Sequence, residues 1–347
     1  MPSPLDIFPT ASNCVPTVVT DLDINFGAET NHPSDSVANS GRWRRIKKEL
    51  YLHMAEKTAW LYVAEAKVNE LTADDQVVMD VKVGGQCPGD SSETSWERRS
   101  GTIWLLRSNH NGENHRAVTS VDVLFGEDAV DLRPQWTLLQ TPFQLGAMNE
   151  IPVARLSVRH GSETVGTQPK LKAGRKGRFK IVQISDTHMV TGPGVCKDAI
   201  DANGQPLPPS QADPLTVNFL GRVLDAERPD LVVLTGDQIH HDIPDSQSAL
   251  FKVVAPIIER SIPYAAVFGN HDDEGAYALS RKQIARYPNQ QAVSRCLIYF
   301  GPLKGFPVWK ISTGSDGSAF RLGTDGYTSQ SAIQPLPARP KRSGRHR

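Results

Sequence analysis

Three strongly apolar runs, each breaking into a short polar cluster, set the tightest limit on how this chain folds. Phe179–Ser185 runs into Asp186-Thr187-His188, Leu231–Thr235 into Gly236-Asp237, and Tyr264–Phe268 into Gly269-Asn270-His271-Asp272. Helical patterns lie between them. Asp213 followed by Pro214 reads as an N-cap and first helical position, and Leu215, Phe219, Leu220, Val223 and Leu224 mark one helical face. Arg228-Pro229-Asp230 stops that helix. A second is predicted over Ser246–Arg260, with Leu250, Val253, Val254, Ile257 and Ile258 on one face, and a third over Ala276–Arg286. The alternation β-α-β-α-β requires short crossover helices and a mostly parallel sheet. Such a sheet is buried on both faces, which explains strands that are nearly all apolar.

Upstream the period changes to two. Val77, Met79, Val81 and Val83 alternate with Asp80 and Lys82. Thr102–Leu106, Val121–Phe125, Trp136–Leu139 and Ala154–Val158 are similar short runs split by Gly, Asn and Asp, which predicts a β-sandwich-like module. Trp43–Val68 is ambiguous: its Lys- and Glu-rich first half suits a helix, whereas Thr58–Val63 suits a strand. Gly161–Arg178, polar, Gly-containing and basic, reads as a linker.

In an open α/β sheet, ligands sit beyond the carboxyl ends of the strands, where all three clusters fall. Asp186 and His188 are two residues apart on a chain leaving its strand, so both side chains can share one ion. Asp237 arrives from the next strand and Asn270 from the third. Carboxylate, imidazole and amide together suit Zn, Fe or Mn. The two oxygens of Asp237 allow it to bridge two ions about 3.5–4 Å apart, as in two-metal hydrolases. His271 is then placed to donate a proton or hydrogen bond to a leaving oxygen. Asp272 either orients His271 or holds a turn. His240 and His241 read as loop residues. Gly236 and Gly269 suit backbone that turns tightly beside a ligand.

Asp186-x-His188, Gly236-Asp237 and Gly269-Asn270-His271-Asp272 resemble, in order, the first three signature blocks of the calcineurin-like metallophosphoesterases. The intervening Arg228–Asp237 is also typical of them, and the resemblance covers roughly residues 179–285. The β-rich first half, with Gly126-Glu-Asp-Ala-Val130, resembles a fungal branch of purple-acid-phosphatase-like phosphatases. The resemblance implies that Asp186 and His188 bind a first metal ion, that Asp237 bridges, and that Asn270 binds a second. His271 would sit beside the phosphate. It further implies two divalent or trivalent ions (Fe, Mn or Zn) and hydrolysis of phosphomonoesters or phosphoproteins.

Two departures bear on this. Where purple acid phosphatases carry an iron-binding Tyr, three residues after the bridging Asp, this chain has His240. The family completes its site with later histidines, including a Gly-His-x-His block, whereas only His346 follows His271 here. A truncated or spliced member is therefore expected, and the alternative function is a catalytically inactive binding or regulatory protein.

The expected class is α/β (α+β overall): a β-rich N-terminal module, then a partial metallophosphoesterase βαβαβ sheet layered with helices. The expected divisions are a loose leader (1–22), the β-rich domain (23–160), the linker (161–178), an incomplete metallophosphoesterase domain (179–300) and a low-complexity, disordered tail (301–347). Thirty-eight basic residues balance 38 acidic ones, so no nucleic-acid partner is expected. A phosphorylated protein or small phosphomonoester is the expected substrate. Cys14, Cys87, Cys196 and Cys296 match no zinc or redox spacing and are expected as free thiols. No apolar run is long enough to span a membrane. The start of the chain lacks a signal-like apolar segment, and a cytoplasmic location is the expectation.

Overall fold

The computed structural model describes residues 16–27, 42–53, 57–89, 95–111, 116–146, 151–162, 171, 177–196, 200–201, 203–206 and 208–274, together with strands at 296–298, 309–312 and 321–324. The first half is built from three antiparallel sheets. They are β1 (Thr17–Phe26), β2 (Arg42–Glu49) and β3 (Ala59–Lys67) in the order β1-β3-β2; β4 (Gln76–Val83), β5 (Trp96–Arg98) and β6 (Ile103–Asn109) as β4-β6-β5; and β7 (Val118–Phe125), β8 (Trp136–Leu138) and β9 (Ala154–His160) as β7-β9-β8. Alternating residues from all three enter one apolar core, among them Leu22, Leu61, Val81, Leu105, Val123 and Leu156. The period-two reading thus corresponds to a half-buried pleat.

The ambiguous stretch after Trp43 is strand, not helix. β2 pairs with β3 through Arg45↔Tyr62, then shifts register before Glu49↔Trp60. The bulge absorbs the Lys-rich residues that made the segment look helical. Glu49 holds the following turn: its carboxylate accepts the backbone N–H groups of Tyr51, His53 and Ala59.

The second half is the parallel sheet. β10 (Ile181–Ile184), β11 (Leu231–Leu234), β12 (Tyr264–Ala266) and β13 (Cys296–Ile298) lie in the order β10-β11-β12-β13, all parallel. α1 (Ala212–Glu227) and α2 (Ser246–Glu259) make the crossovers. The protein is therefore a mixed α/β chain in which sheet dominates. β10 is the sheet's edge strand, and Ile181 and Gln183 are exposed, so burial on both faces does not extend to it. β14 (Trp309–Ser312) and β15 (Arg321–Thr324) pair antiparallel. The helix expected over Ala276–Arg286 and the rest of the expected tail lie outside the described residues.

The two helices differ in how they are covered. α2 is buried from Ser246 to Ile257, with its apolar face in the core of the parallel sheet and Phe251 packed against Leu124 of β7. A helix enclosed all round must be apolar or internally satisfied all round. Asp245 caps it by accepting the Ser248 N–H at 2.9 Å. In α1 only Leu220 and Leu224 of the expected apolar face are buried, while Leu215 and Phe219 are 49% and 63% exposed. Gln211, not Asp213, stands at its N-cap. Asp213 turns inward instead, accepting from the Val190 N–H at 2.9 Å and the Lys252 ammonium at 2.5 Å. A buried cation outcompetes the local cap.

Lys252 joins the halves. Its ammonium also reaches Asp128 Oδ2 at 2.8 Å and the Gly192 carbonyl at 2.6 Å. Ser248 Oγ accepts the Phe125 N–H, and Gln247 donates to Asp122. Gly126, at φ +110°, permits the contact, since a Cβ there would stand 2.9 Å from Gly192 Cα. No helix among the described residues is long and apolar enough to cross a membrane.

Candidate metal centre

The polar clusters meet because the parallel pairing continues past the strands. Asp186 N–H donates to the Gly236 carbonyl, His188 N–H to Asp237, and Met189 N–H to Gln238. The first two clusters thus run side by side. The third docks through two glycines. A Cβ on Gly236, at φ +113°, would lie 2.8 Å from the Gly269 backbone, and one on Gly269 would overlap Asp237. Only glycine allows this approach.

Asp186, His188 and Asp237 are brought together, each offering one ligand atom, all within 4.8 Å of one another. All three also have positive φ, at +56°, +46° and +50°. Such left-handed backbone is uncommon for non-glycine residues and costs free energy that the surrounding structure must supply. The three residues that converge here all carry it. Two carboxylates and an imidazole suit a divalent or trivalent ion of the Zn, Fe or Mn kind. These residues fit the group that the sequence implies.

Asp272 is almost fully buried, 1% exposed. Its Oδ2 accepts the N–H groups of Asp237 at 3.1 Å and Gly269 at 2.7 Å, and Oδ1 accepts that of Ile239 at 3.1 Å. Burial raises its pKa against the pull of the Gly269 and Ile239 amides. It clasps the second and third clusters together. His271 donates its backbone N–H to Asp237 Oδ1 at 3.0 Å, and its Nδ1 contacts Glu274 at 2.6 Å. Glu274 raises the His271 pKa. Asn270, exposed, occupies the bend between Gly269 and His271.

The sequence reading gave His240 and His241 no part in the site. The rings of His188, His240, His241 and His271 nevertheless form one cluster: His188 to His271 is 5.5 Å, His188 to His240 6.0 Å, His240 to His241 4.1 Å and His241 to His271 5.2 Å between centroids. Burial, then the neighbouring imidazoles, lowers the His240 pKa. The signal lay in the parallel continuation past β11, where His240 N–H donates to the Met189 carbonyl and brings its ring back beside His188.

The parallel sheet thus delivers Asp-x-His from its first strand end and Gly-Asp from its second to one point, the donor arrangement of a candidate metal centre. Residues 179–331 match the model of the calcineurin-like phosphoesterase family. The chain is 40% identical over 239 residues to "Phosphatase DCR2" of Saccharomyces cerevisiae, covering 63% of this chain and 39% of that protein. It is 28% identical over 308 residues to "Uncharacterized protein C1020.05" of Schizosaccharomyces pombe, covering 85% and 56%. It is 35% identical over 128 residues to "Probable inactive purple acid phosphatase 29" of Arabidopsis thaliana, covering 35% and 31%. The chain thus spans less than two thirds of the length of each of these relatives.

Proposed function

We propose that the chain is a metal-dependent phosphoesterase that hydrolyses phosphomonoesters or phosphoproteins through a dinuclear site. Asp186 and His188 would hold one ion, Asp237 would bridge, and Asn270 would hold the second. When bound, the ions would supply Lewis-acid charge to phosphate oxygens and activate water, the general role of paired ions in such hydrolases. The chain's own groups do the rest. Asp272 fixes the loop that carries Asn270 and His271, and so sets their position relative to Asp237. His271, its Nδ1 engaged by Glu274, is placed to present Nε2 to the leaving oxygen as a proton or hydrogen-bond donor. The observation that carries the reading is the convergence of Asp186, His188 and Asp237 within 4.8 Å on strained backbone.

The test is hydrolysis of p-nitrophenyl phosphate with added Mn, Zn or Fe. Asp237→Asn should lose more than the roughly 10–100-fold typical of changes to groups that only support a ligand. His271→Ala should slow an alkyl phosphate more than an aryl one, because the poorer leaving group needs the proton. Equal rates for the native chain and Asp237→Asn would sink the reading.

A second reading has its own support. A relative at 35% identity bears the name "Probable inactive purple acid phosphatase 29", so a catalytically inactive binding or regulatory protein is the alternative. Metal binding without metal-stimulated turnover would select it.

A further inference from the structure

Lys252 is buried, and its ammonium has three protons to donate. Each goes to a different part of the chain: Asp128 Oδ2 of the β-rich half at 2.8 Å, the Gly192 carbonyl of the loop after β10 at 2.6 Å, and Asp213 Oδ2 of α1 at 2.5 Å. That loop is the one that carries His188. Asp213 Oδ2 also accepts the Val190 N–H at 2.9 Å, two residues past His188, and the Asp213 N–H donates to the Pro193 carbonyl at 2.9 Å. Gly126 lets the β-rich half reach the loop backbone itself, since a Cβ there would stand 2.9 Å from Gly192 Cα. The other cation near Asp128, Arg155, donates to the Glu127, Ala129 and Leu139 carbonyls instead. Asp128 Oδ1 is buried with no hydrogen-bond partner among the described residues, so this carboxylate is given to Lys252 alone.

We infer that Lys252, held by Asp128 and Asp213, is a positioning residue for the metal centre, and that the β-rich half acts through it to fix His188. His188 has φ +46°. Such backbone persists only where the surrounding structure holds it. On one side the restraint comes from the second cluster, with Asp186 N–H on the Gly236 carbonyl, His188 N–H on that of Asp237 and Met189 N–H on that of Gln238. On the other side it comes from Asp213 at Val190 and from Lys252 at Gly192. Thr191, between them, bonds the Asp245 backbone through its hydroxyl, which leaves the neighbouring peptide groups to Asp213 and Lys252. The Gly126-Glu-Asp-Ala-Val130 block thereby gains a role: its glycine admits the loop and its aspartate anchors the ammonium that holds it. The inference rests on the metal-ligand reading of His188 for its purpose.

The test uses Asp128→Ala in the full chain. This change removes the hold of the β-rich half on Lys252 but leaves Asp213 to pair the ammonium, so the chain should still fold. Asp128→Asn keeps an oxygen for Lys252, should be intermediate, and serves alone if the alanine chain does not fold. Gln247→Leu removes a different bond between the halves, from Gln247 to Asp122 at 2.9 Å, and controls for general loosening of the joint. In the metal-free chains, amide hydrogen exchange at Met189 and Val190 should quicken by about tenfold or more in Asp128→Ala, less in Asp128→Asn, and stay native in Gln247→Leu. Mn2+ affinity, read from the paramagnetic resonance of the free ion, should fall by about tenfold or more in Asp128→Ala, with the same order among the variants. Native exchange in both Asp128 variants, equal effects of Asp128→Ala and Gln247→Leu, or faster exchange with native Mn2+ affinity overturns the inference. Absence of Mn2+ binding by the native chain overturns the metal reading instead, and exchange at Met189 and Val190 then still decides whether Lys252 holds the loop.

Discussion

Gly236→Ala probes the link between backbone and site most sharply. Gly236 sits at φ +113°, a region nearly closed to residues with a Cβ. That strain costs about 1–3 kcal/mol. The added methyl would also stand 2.8 Å from both the Cα and N of Gly269. Those are backbone atoms and cannot rotate away, so the third cluster must move, at about 1–3 kcal/mol more. The expected loss is about 2–6 kcal/mol, a large part of a typical domain's total. Urea unfolding at neutral pH measures it. Gly204→Ala serves as the control: φ is +78° but no atom lies within 4 Å of its Cβ. Strain alone should cost about 1–2 kcal/mol there. The excess in Gly236→Ala reports the contact between the second and third clusters, and affinity for Mn or Zn should fall with it. If Gly236→Ala loses no more stability than Gly204→Ala, the two clusters do not touch as described.

Two further outcomes follow from the joint between the halves. Lys252→Met leaves Asp128 and Asp213 buried without their cation and should cost about 3–5 kcal/mol; adding Asp213→Asn should restore part of it, and a loss below about 1 kcal/mol by urea unfolding would refute the joint. Burial alone would raise the Asp122 carboxyl, but Lys48, Arg133, Gln247 and the Val123 N–H together hold it below the usual range. A depressed carboxyl contributes stability above its unfolded pKa of about 3.9 and loses it as pH falls through the lower folded value. Asp122→Asn should therefore be less stable at pH 7 yet lose less between pH 5 and pH 2. Parallel acid-unfolding curves for the two chains would contradict this.

The parallel sheet was legible because its strands are short apolar runs whose polar ends fall in one place by topology alone. The crossover helix over Ser246–Glu259 was legible for the same reason, since an enclosed helix is written in apolar residues. What the sequence hid were choices made by distant partners. Asp213 followed by Pro214 has every local sign of a cap, but Lys252, 39 residues on, takes its carboxylate. The Lys-rich stretch after Trp43 has helical composition, but pairing with β3 makes it a bulged strand. Phe219 shares a helical stripe with Leu220, yet it is 63% exposed, because periodicity does not say how wide the covering surface is. Within the site, the positions of Asp186, His188 and Asp237 could be read from spacing. The gathering of His240 and His241 beside them depends on the backbone pairing of Met189 with Ile239, which no local pattern reveals.

The proposed chemistry depends on metal binding by Asp186, His188 and Asp237. Elemental analysis of the full chain after loading with Mn or Zn and exhaustive dialysis tests it most directly, alongside Asp186→Asn and Asp237→Asn. Tightly held ion is expected in the native chain and its loss in both variants, each still folded by circular dichroism. Equal metal content in all three chains would contradict it.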